Sequence, residues 1–386
     1  MKILLLGEYS RLHNSLKEGL VALGHDVSIA ATGDNFKKYN VDHTFNAAYF
    51  NKYWLLRKIK NSIYLLFKFD IQKLEKGFRF YFLLKKLKKF DHIQLINSDA
   101  IETFPKLGRW LLRRLFKNNS SATKSLLVCG DETPVIDFLL KRELDYSILT
   151  PYFEDQSLQS KFDYSLKYTK KNYRKLFEWV YQHTTSLIVS DIDYKIPMER
   201  MGYKAHFIPN PINASEIEFK ENKIEEKIVI FLGINRMNYI KKGIRFFEEA
   251  LAMVKQKYPD KITVIISEDV PYSQYIKSYD SAHILLDMVY AFDQGYNALE
   301  AMAKGKVVFT GASPDFENEF NLTAKVAFDA VPDAGKIASD LSFLIENPDE
   351  ITAIGKRARL FIEREHDSIA IAKAYLKAWE DGTRHT

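Results

Sequence analysis

The chain has 386 residues, 46% of them hydrophobic, a formal net charge of +6 and a single cysteine, Cys129. That length exceeds what one ordinary core fills and favours two domains of roughly 190 residues each. A lone cysteine excludes an intramolecular disulfide and a thiolate metal cage and fits a reducing cytoplasm, and no apolar run reaches the roughly 18 residues a spanning helix needs.

The opening Lys2 to Gly7 turns acidic at Glu8 too soon for a signal sequence and reads as a buried first strand. A helix follows with Leu12, Leu16, Leu20 and Leu23 on one face, then Gly24 as a stop and a strand from Val27 to Ala31. Further short apolar runs fall at Ile93 to Ile96, Leu126 to Cys129, Leu187 to Val189 and His206 to Ile208.

Between Lys52 and Lys117 seventeen bases meet only five acids, so the remainder of the chain is net acidic. Tyr53, Trp54, Tyr64, Phe67, Phe78, Tyr81, Phe82, Trp110 and Phe116 interleave with these bases. The pattern suits amphipathic helices lying on an anionic membrane, each base near the surface adding about 1 kcal/mol. It equally suits ordinary helices with basic outer faces. No nucleic-acid-binding motif accompanies the charge, so no nucleic-acid partner is expected.

Residues 211–226 carry Pro211, few large apolar side chains and mixed charge, the composition of a linker. They separate a domain 1–210 from a domain 227–386. The second domain repeats the opening of the first: the run Lys227 to Gly233, a helix with Phe247, Leu251, Val254 and Tyr258 on one face, and a strand from Ile262 to Ile266. Strands at Ile284 to Leu286, Val307 to Phe309 and Val326 to Phe328 follow. Strands spaced by helices imply parallel sheets, hence an α/β protein of two Rossmann-like, doubly wound domains facing across a cleft. The last helix, with Ile371, Tyr375 and Trp379, fits either domain.

Two segments carry chemistry. In the first, Asp293 to Gly305, Gly295 ends a loop, Tyr296 and Asn297 open a helix, and Glu300 stands one turn in. Free N–H groups and the dipole at a helix start bind phosphate, and a carboxylate one turn in can accept both hydroxyls of a ribose. A solvent-facing first-turn glutamate fits as well. In the second, Phe231 to Gly243, Arg236 and Lys242 follow a strand and can fork onto a diphosphate; a basic exposed loop is the plainer alternative. Gly7 ends the first strand, where a glycine admits a close backbone approach to a substrate. Asp191 and Asp193 form a D-x-D pair, read as a polar strand end. His13, His92, His183, His206 and His283 share no ligand spacing, so neither a metal nor a resident cofactor is expected.

Together Arg236, Lys242-Gly243, Gly295, Leu299-Glu300-Ala301-Met302-Ala303 and Gly305 resemble the family 4 retaining glycosyltransferases with the GT-B fold, over about Lys227 to Gly311. The resemblance implies a nucleotide-sugar donor, with Arg236 and Lys242 on its diphosphate, Glu300 on its ribose, and Gly7, Gly295, Tyr296 and Asn297 lining its site. It also implies a glycan or lipid-linked hydroxyl acceptor of bacterial polysaccharide type, and work in the cytoplasm or at the inner face of the cell membrane. Two departures stand out. Phe292 replaces the first acid of the family's E-x7-E pair, with Asp293 one position off, and Asp131 stands where relatives place a histidine facing the donor sugar. An inverting GT-B enzyme and a non-catalytic nucleotide-binding scaffold remain open readings.

Overall fold

The computed structural model describes residues 1–33, 40–270 and 279–382. Seven parallel strands form the first sheet: β1 (Lys2–Leu6), β2 (Asp26–Ala31), β3 (His43–Thr44), β4 (His92–Leu95), β5 (Thr123–Val128), β6 (Ser186–Val189) and β7 (His206–Phe207), in the order β3-β2-β1-β4-β5-β6-β7. The second sheet holds β8 (Ile228–Ile234), β9 (Ile262–Glu268), β10 (Ile284–Leu286), β11 (Val307–Thr310) and β12 (Phe328–Asp329), in the order β12-β11-β10-β8-β9. Every neighbouring pair is parallel. Helices cover both faces, which is why the central strands read as continuous apolar runs: Ile3, Leu4, Leu5 and Leu6 are all fully buried.

Each sheet has one place where neighbouring strands depart to opposite sides, between β1 and β4 in the first and between β8 and β10 in the second. Loops leaving these carboxyl ends open the crevice that such sheets use for ligands. The two crevices face one another.

Local sequence shapes both edges. Gly7 leaves β1 at φ +90°, and a Cβ there would sit 2.2 Å from Cγ2 of Ile96, so a glycine is required for β1 and the loop after β4 to lie this close. Gly243 ends the turn Tyr239–Lys242 at φ +68°, where a Cβ would meet that of Val289 at 2.8 Å.

The chain returns to its first domain at the end. Helix Ser368–Asp381 carries Trp379, whose ring stacks on His92 at 3.9 Å and whose Nε1 donates to Oε1 of Gln94 at 3.0 Å. Ser186 on β6 donates to the carbonyl of Ala378 at 2.7 Å. The buried face containing Ile371, Tyr375 and Trp379 therefore belongs to the N-terminal domain's core.

The basic segment 52–117 is not one insert, because it contains the central strand β4. Helix Pro105–Asn118 is an ordinary crossover helix that buries Leu111, Leu112 and Leu115. What stands apart is helix Trp54–Phe67, which buries none of its residues. Trp54 is 65% exposed, and Leu65, Leu66 and Phe67 are each at least 71% exposed. Helix Ile71–Leu83 joins it to the body through Gly77 and Phe80 while leaving Phe78 and Phe82 outside. Among the described residues, no helix is long and apolar enough to cross a membrane.

Candidate active site between the two domains

The edge of the C-terminal sheet bears a cavity of about 340 Å³, lined by Lys242, Asp287, Gly295, Asn297 and Glu300 together with Ser10 from across the cleft. β10 ends at Leu286, so the next residue, Asp287, projects directly into the crevice. Its Oδ1 accepts from Nζ of Lys242 at 2.8 Å and from Nδ2 of Asn297 at 2.9 Å, and its side chain is only 5% exposed. One carboxylate thus aims the ammonium of the β8 loop and the first turn of helix Tyr296–Ala303 at the same space. Gly295 caps that helix with an extended backbone, and a Cβ on it would meet nothing within 4 Å. The first turn of that helix lines the cavity, and helix starts are local arrangements that bind phosphate.

Of the residues singled out from sequence, Lys242, Gly295, Asn297 and Glu300 come together here. Tyr296 contributes its backbone, while its hydroxyl donates away from the cavity to the carbonyl of Pro211 at 3.1 Å. Arg236 lies on the same loop but does not line the cavity: its guanidinium is half-exposed and forks onto Glu268 at the end of β9, at 2.5 and 2.6 Å. Gly7 shapes the opposite edge from inside, packed on Ile96, and it is Tyr9 and Ser10 that reach cavities.

A second cavity, about 450 Å³, adjoins the first through Gly295 and Met288 and lies between the domains. Tyr9, Asn97, Asp131 and Tyr168 line its N-terminal side, and Lys241, Phe292 and Asp293 its C-terminal side. Asp131 follows β5 and accepts from Ser165 and, across the cleft, from Nζ of Lys241 at 3.5 Å. Although burial opposes its charge, Lys241 is held more firmly protonated by Asp131 and Tyr164. The two consecutive lysines therefore divide their work, Lys242 facing the C-terminal cavity and Lys241 bridging to Asp131. The next residue, Glu132, is fully buried; burial raises its pKa to about 7, and it caps helix Thr133–Leu139 while accepting from Ser98.

Phe292 stacks its ring on Tyr146 of the N-terminal domain, with centroids 4.9 Å apart and planes 5° off parallel. Asp293 turns into the domain interface, where Oδ2 accepts from the backbone N–H of Ile192 at 3.0 Å. Asp191 and Asp193 are not a strand end: β6 stops at Val189, and Asp191 is the N-cap of helix Ile192–Arg200. Both line the interdomain cavity beside Asp293. Tyr146, Tyr168 and Lys167 have no motif that marks them, since each is brought to the cleft by a loop or short helical turn packing beyond the sheet. For Asp191 and Asp193 a signal was available: D-x-D followed by a helical pattern is an N-cap signature. Among the described residues, no group of three or more His, Cys, Asp or Glu side chains is placed to hold a metal ion.

This geometry joins a helix start, a lysine and a glutamate one turn into that helix in one crevice of a two-domain α/β fold. The chain has the GT-B fold, two parallel-sheet α/β domains facing across a cleft. Residues 240–377, which supply Lys241, Lys242 and Glu300, match the family described as Glycosyl transferase-like. A comparison with curated proteins finds no match. Among solved structures, the chain is similar to HepE of Anabaena in complex with UDP and glucose, at 12% identity over 99% of this chain and 100% of the other, with a TM-score of 0.59. It is also similar to sucrose-phosphate synthase of Thermosynechococcus elongatus, at 14% identity over 99% of each chain, with a TM-score of 0.61. A third is UDP-GlcNAc 2-epimerase of Neisseria meningitidis bound to UDP-GlcNAc, at 13% identity over 99% of this chain and 100% of the other, with a TM-score of 0.52. At such identities the likeness establishes the fold, and the chemistry has to be argued from side chains.

Proposed function

We propose that the chain transfers a sugar from a nucleoside diphosphate sugar, with UDP as the carrier, to a hydroxyl of a glycan or lipid-linked acceptor, with retention of configuration and no resident cofactor. The observation that carries the reading is the Lys242–Asp287–Asn297 arrangement at the start of helix Tyr296–Ala303, with Glu300 in the same cavity. The diphosphate lies over the first-turn N–H groups beside Lys242, and Glu300 accepts the ribose hydroxyls. The sugar then extends into the interdomain cavity toward Asp131 and Lys241.

As the bond from the sugar to phosphate breaks, charge builds on the departing diphosphate, and Lys242 with the oriented N–H groups stabilises it without reorganisation. Arg236 joins them by leaving Glu268. UDP is favoured as the carrier because HepE and the epimerase are seen with UDP or a UDP-sugar. The exposed helix Trp54–Phe67, with apolar and basic residues on its surface, rests on the anionic inner face of the cell membrane and brings a lipid-linked acceptor to the cleft.

Incubation with a panel of UDP-sugars, with and without glycan and lipid-linked acceptors, tests the reading. A new glycosidic product with the donor's anomeric configuration is expected. An inverted product, epimerised donor without transfer, or tight UDP binding with no turnover of any donor would each replace it with a different activity.

A further inference from the structure

Across the cleft two carboxylates each grip the opposite domain's backbone. Asp193, in the first turn of helix Ile192–Arg200, accepts from the N–H of Phe292 at 3.1 and 3.2 Å and from the N–H of Asp293 at 3.1 Å. Asp293 accepts in return from the N–H of Ile192 at 3.0 Å, and its other oxygen from the N–H of Gln294 at 2.7 Å. Asp191 caps the same N-terminal-domain helix by accepting from the N–H of Tyr194 at 3.2 Å. The turn so gripped, 292–295, leads straight into helix Tyr296–Ala303, whose start binds the donor phosphate in the function proposed above.

Three of these N–H groups reach a carboxylate on the other domain, so the bonds exist only while the cleft is closed. We infer that Asp193 and Asp293 are positioning residues that latch the two domains and hold the start of the donor helix in register with the N-terminal domain. Their effect on turnover rests on the glycosyltransfer reading; their effect on domain closure does not.

The latch is built from like charges, and that gives it a pH dependence. Asp293 is buried, and Asp191 and Asp193 stand half-buried beside it where the domains meet, so all three repel one another. Tyr194 faces Asp191, and Cys129 and Asp131 face Tyr194 in turn. Asp329, at the end of β12, faces Asp193, and both of them, with Asp145, face Tyr146. Glu319 faces Asp293 and is itself paired with Lys195.

Burial first, and then mutual repulsion, raises Asp191 well above the carboxylate range and Asp193 to about 7. Burial, together with the charge of Glu319, raises Asp293 to about 6. In an open, hydrated cleft these groups return toward the ordinary value of about 4. Pka values raised in the closed form mean that closing takes up protons. Closure is therefore favoured in mild acid and weakens as pH rises through about 6 to 7.

Small-angle scattering of the full unliganded chain tests this directly. A compact chain of this length has a radius of gyration of about 21 Å, and opening should add on the order of 1 Å. The wild type should expand between about pH 5.5 and about pH 8, across the range in which the raised carboxylates ionise. The double variant D193N/D293N carries no charge and keeps one acceptor oxygen at each position, enough for the interdomain N–H groups of Phe292, Asp293 and Ile192 while the local Gln294 bond is given up, so it should stay closed at both pH values. D193A, which removes the acceptor, should be open at both, with a raised donor KM and a smaller change in kcat at saturating donor. A wild type that does not expand, a D193N/D293N chain that expands like wild type, or a D193A chain as compact as wild type at low pH would each overturn the latch. Correct scattering in all three with no turnover of any donor by the wild type would leave the latch standing and sink the transfer reading instead.

Discussion

The two crevices that face one another are equivalent in topology and opposite in construction. On the C-terminal side, Lys242, Asp287, Gly295, Asn297 and Glu300 come from two loops and one helix start, and their directions follow from where β8 and β10 end. On the N-terminal side, Tyr9, Asn97, Asp131, Tyr168 and Asp191 come from separate loops and helix starts beyond β1, β4, β5 and β6. A binding site for a constant group such as a diphosphate can be written in one short stretch, because backbone N–H groups and one or two charges suffice. A site for a variable acceptor is assembled from many loops, each free to change without disturbing the sheet.

The sharpest way to break that comparison is at Lys242. If the proposed donor site is correct, replacing it by Met removes one charge-assisted contact to the diphosphate, and UDP affinity should fall roughly 10- to 100-fold by calorimetry. The same change leaves Asp287 buried without its ammonium, so the melting temperature should fall too. Unchanged UDP affinity would move the donor away from this cavity.

Glu300→Ala comes next. Loss of two hydroxyl contacts should cost about 1 to 2 kcal/mol, or roughly 5- to 30-fold in UDP affinity. The loss should shrink for 2′-deoxy-UDP and vanish for pyrophosphate, which lacks a ribose. Equal losses for all three ligands would assign Glu300 a merely structural role.

Asp131→Asn probes the other crevice. It preserves shape but removes the charge opposite Lys241, so kcat should fall while UDP affinity stays within about twofold. A change in UDP affinity as large as that of Glu300→Ala would mean that the two edges are not functionally separate.

These same contrasts govern what could be read from the chain alone. The continuous apolar strands, the glycines at their ends and the helix periodicity are local signals, and they specify both sheets. Lys242, Asn297 and Glu300 were legible because they sit in the residues that leave β8 and open one helix. Asp287 was not, since its role appears only when β8 and β10 lie side by side. Arg236 lies on the loop that leaves β8, but its partner Glu268 comes from the end of β9 and turns the guanidinium aside. Asp191 caps its own helix, but Asp193 finds its partners only across the domain interface, where the donors are N–H groups about a hundred positions away. The basic segment misled by running through β4, because net charge does not reveal which helices pack on the sheet and which stand outside it.

The smallest expected effect on nucleotide binding belongs to Arg236. Its guanidinium already has a carboxylate partner at the edge of the site, so Arg236→Ala should leave UDP affinity within about twofold and act mainly on kcat, when charge develops on the leaving diphosphate. Glu268→Gln weakens that competing partner and should act in the opposite direction, raising UDP affinity by freeing the guanidinium for the phosphates. Measured together by calorimetry and steady-state rates, the pair decides whether Arg236 is a reserve charge of the donor crevice. If Glu268→Gln changes neither UDP affinity nor kcat, the Arg236–Glu268 pair is a surface ion pair, and the stabilising charge comes from Lys242 and the helix start alone.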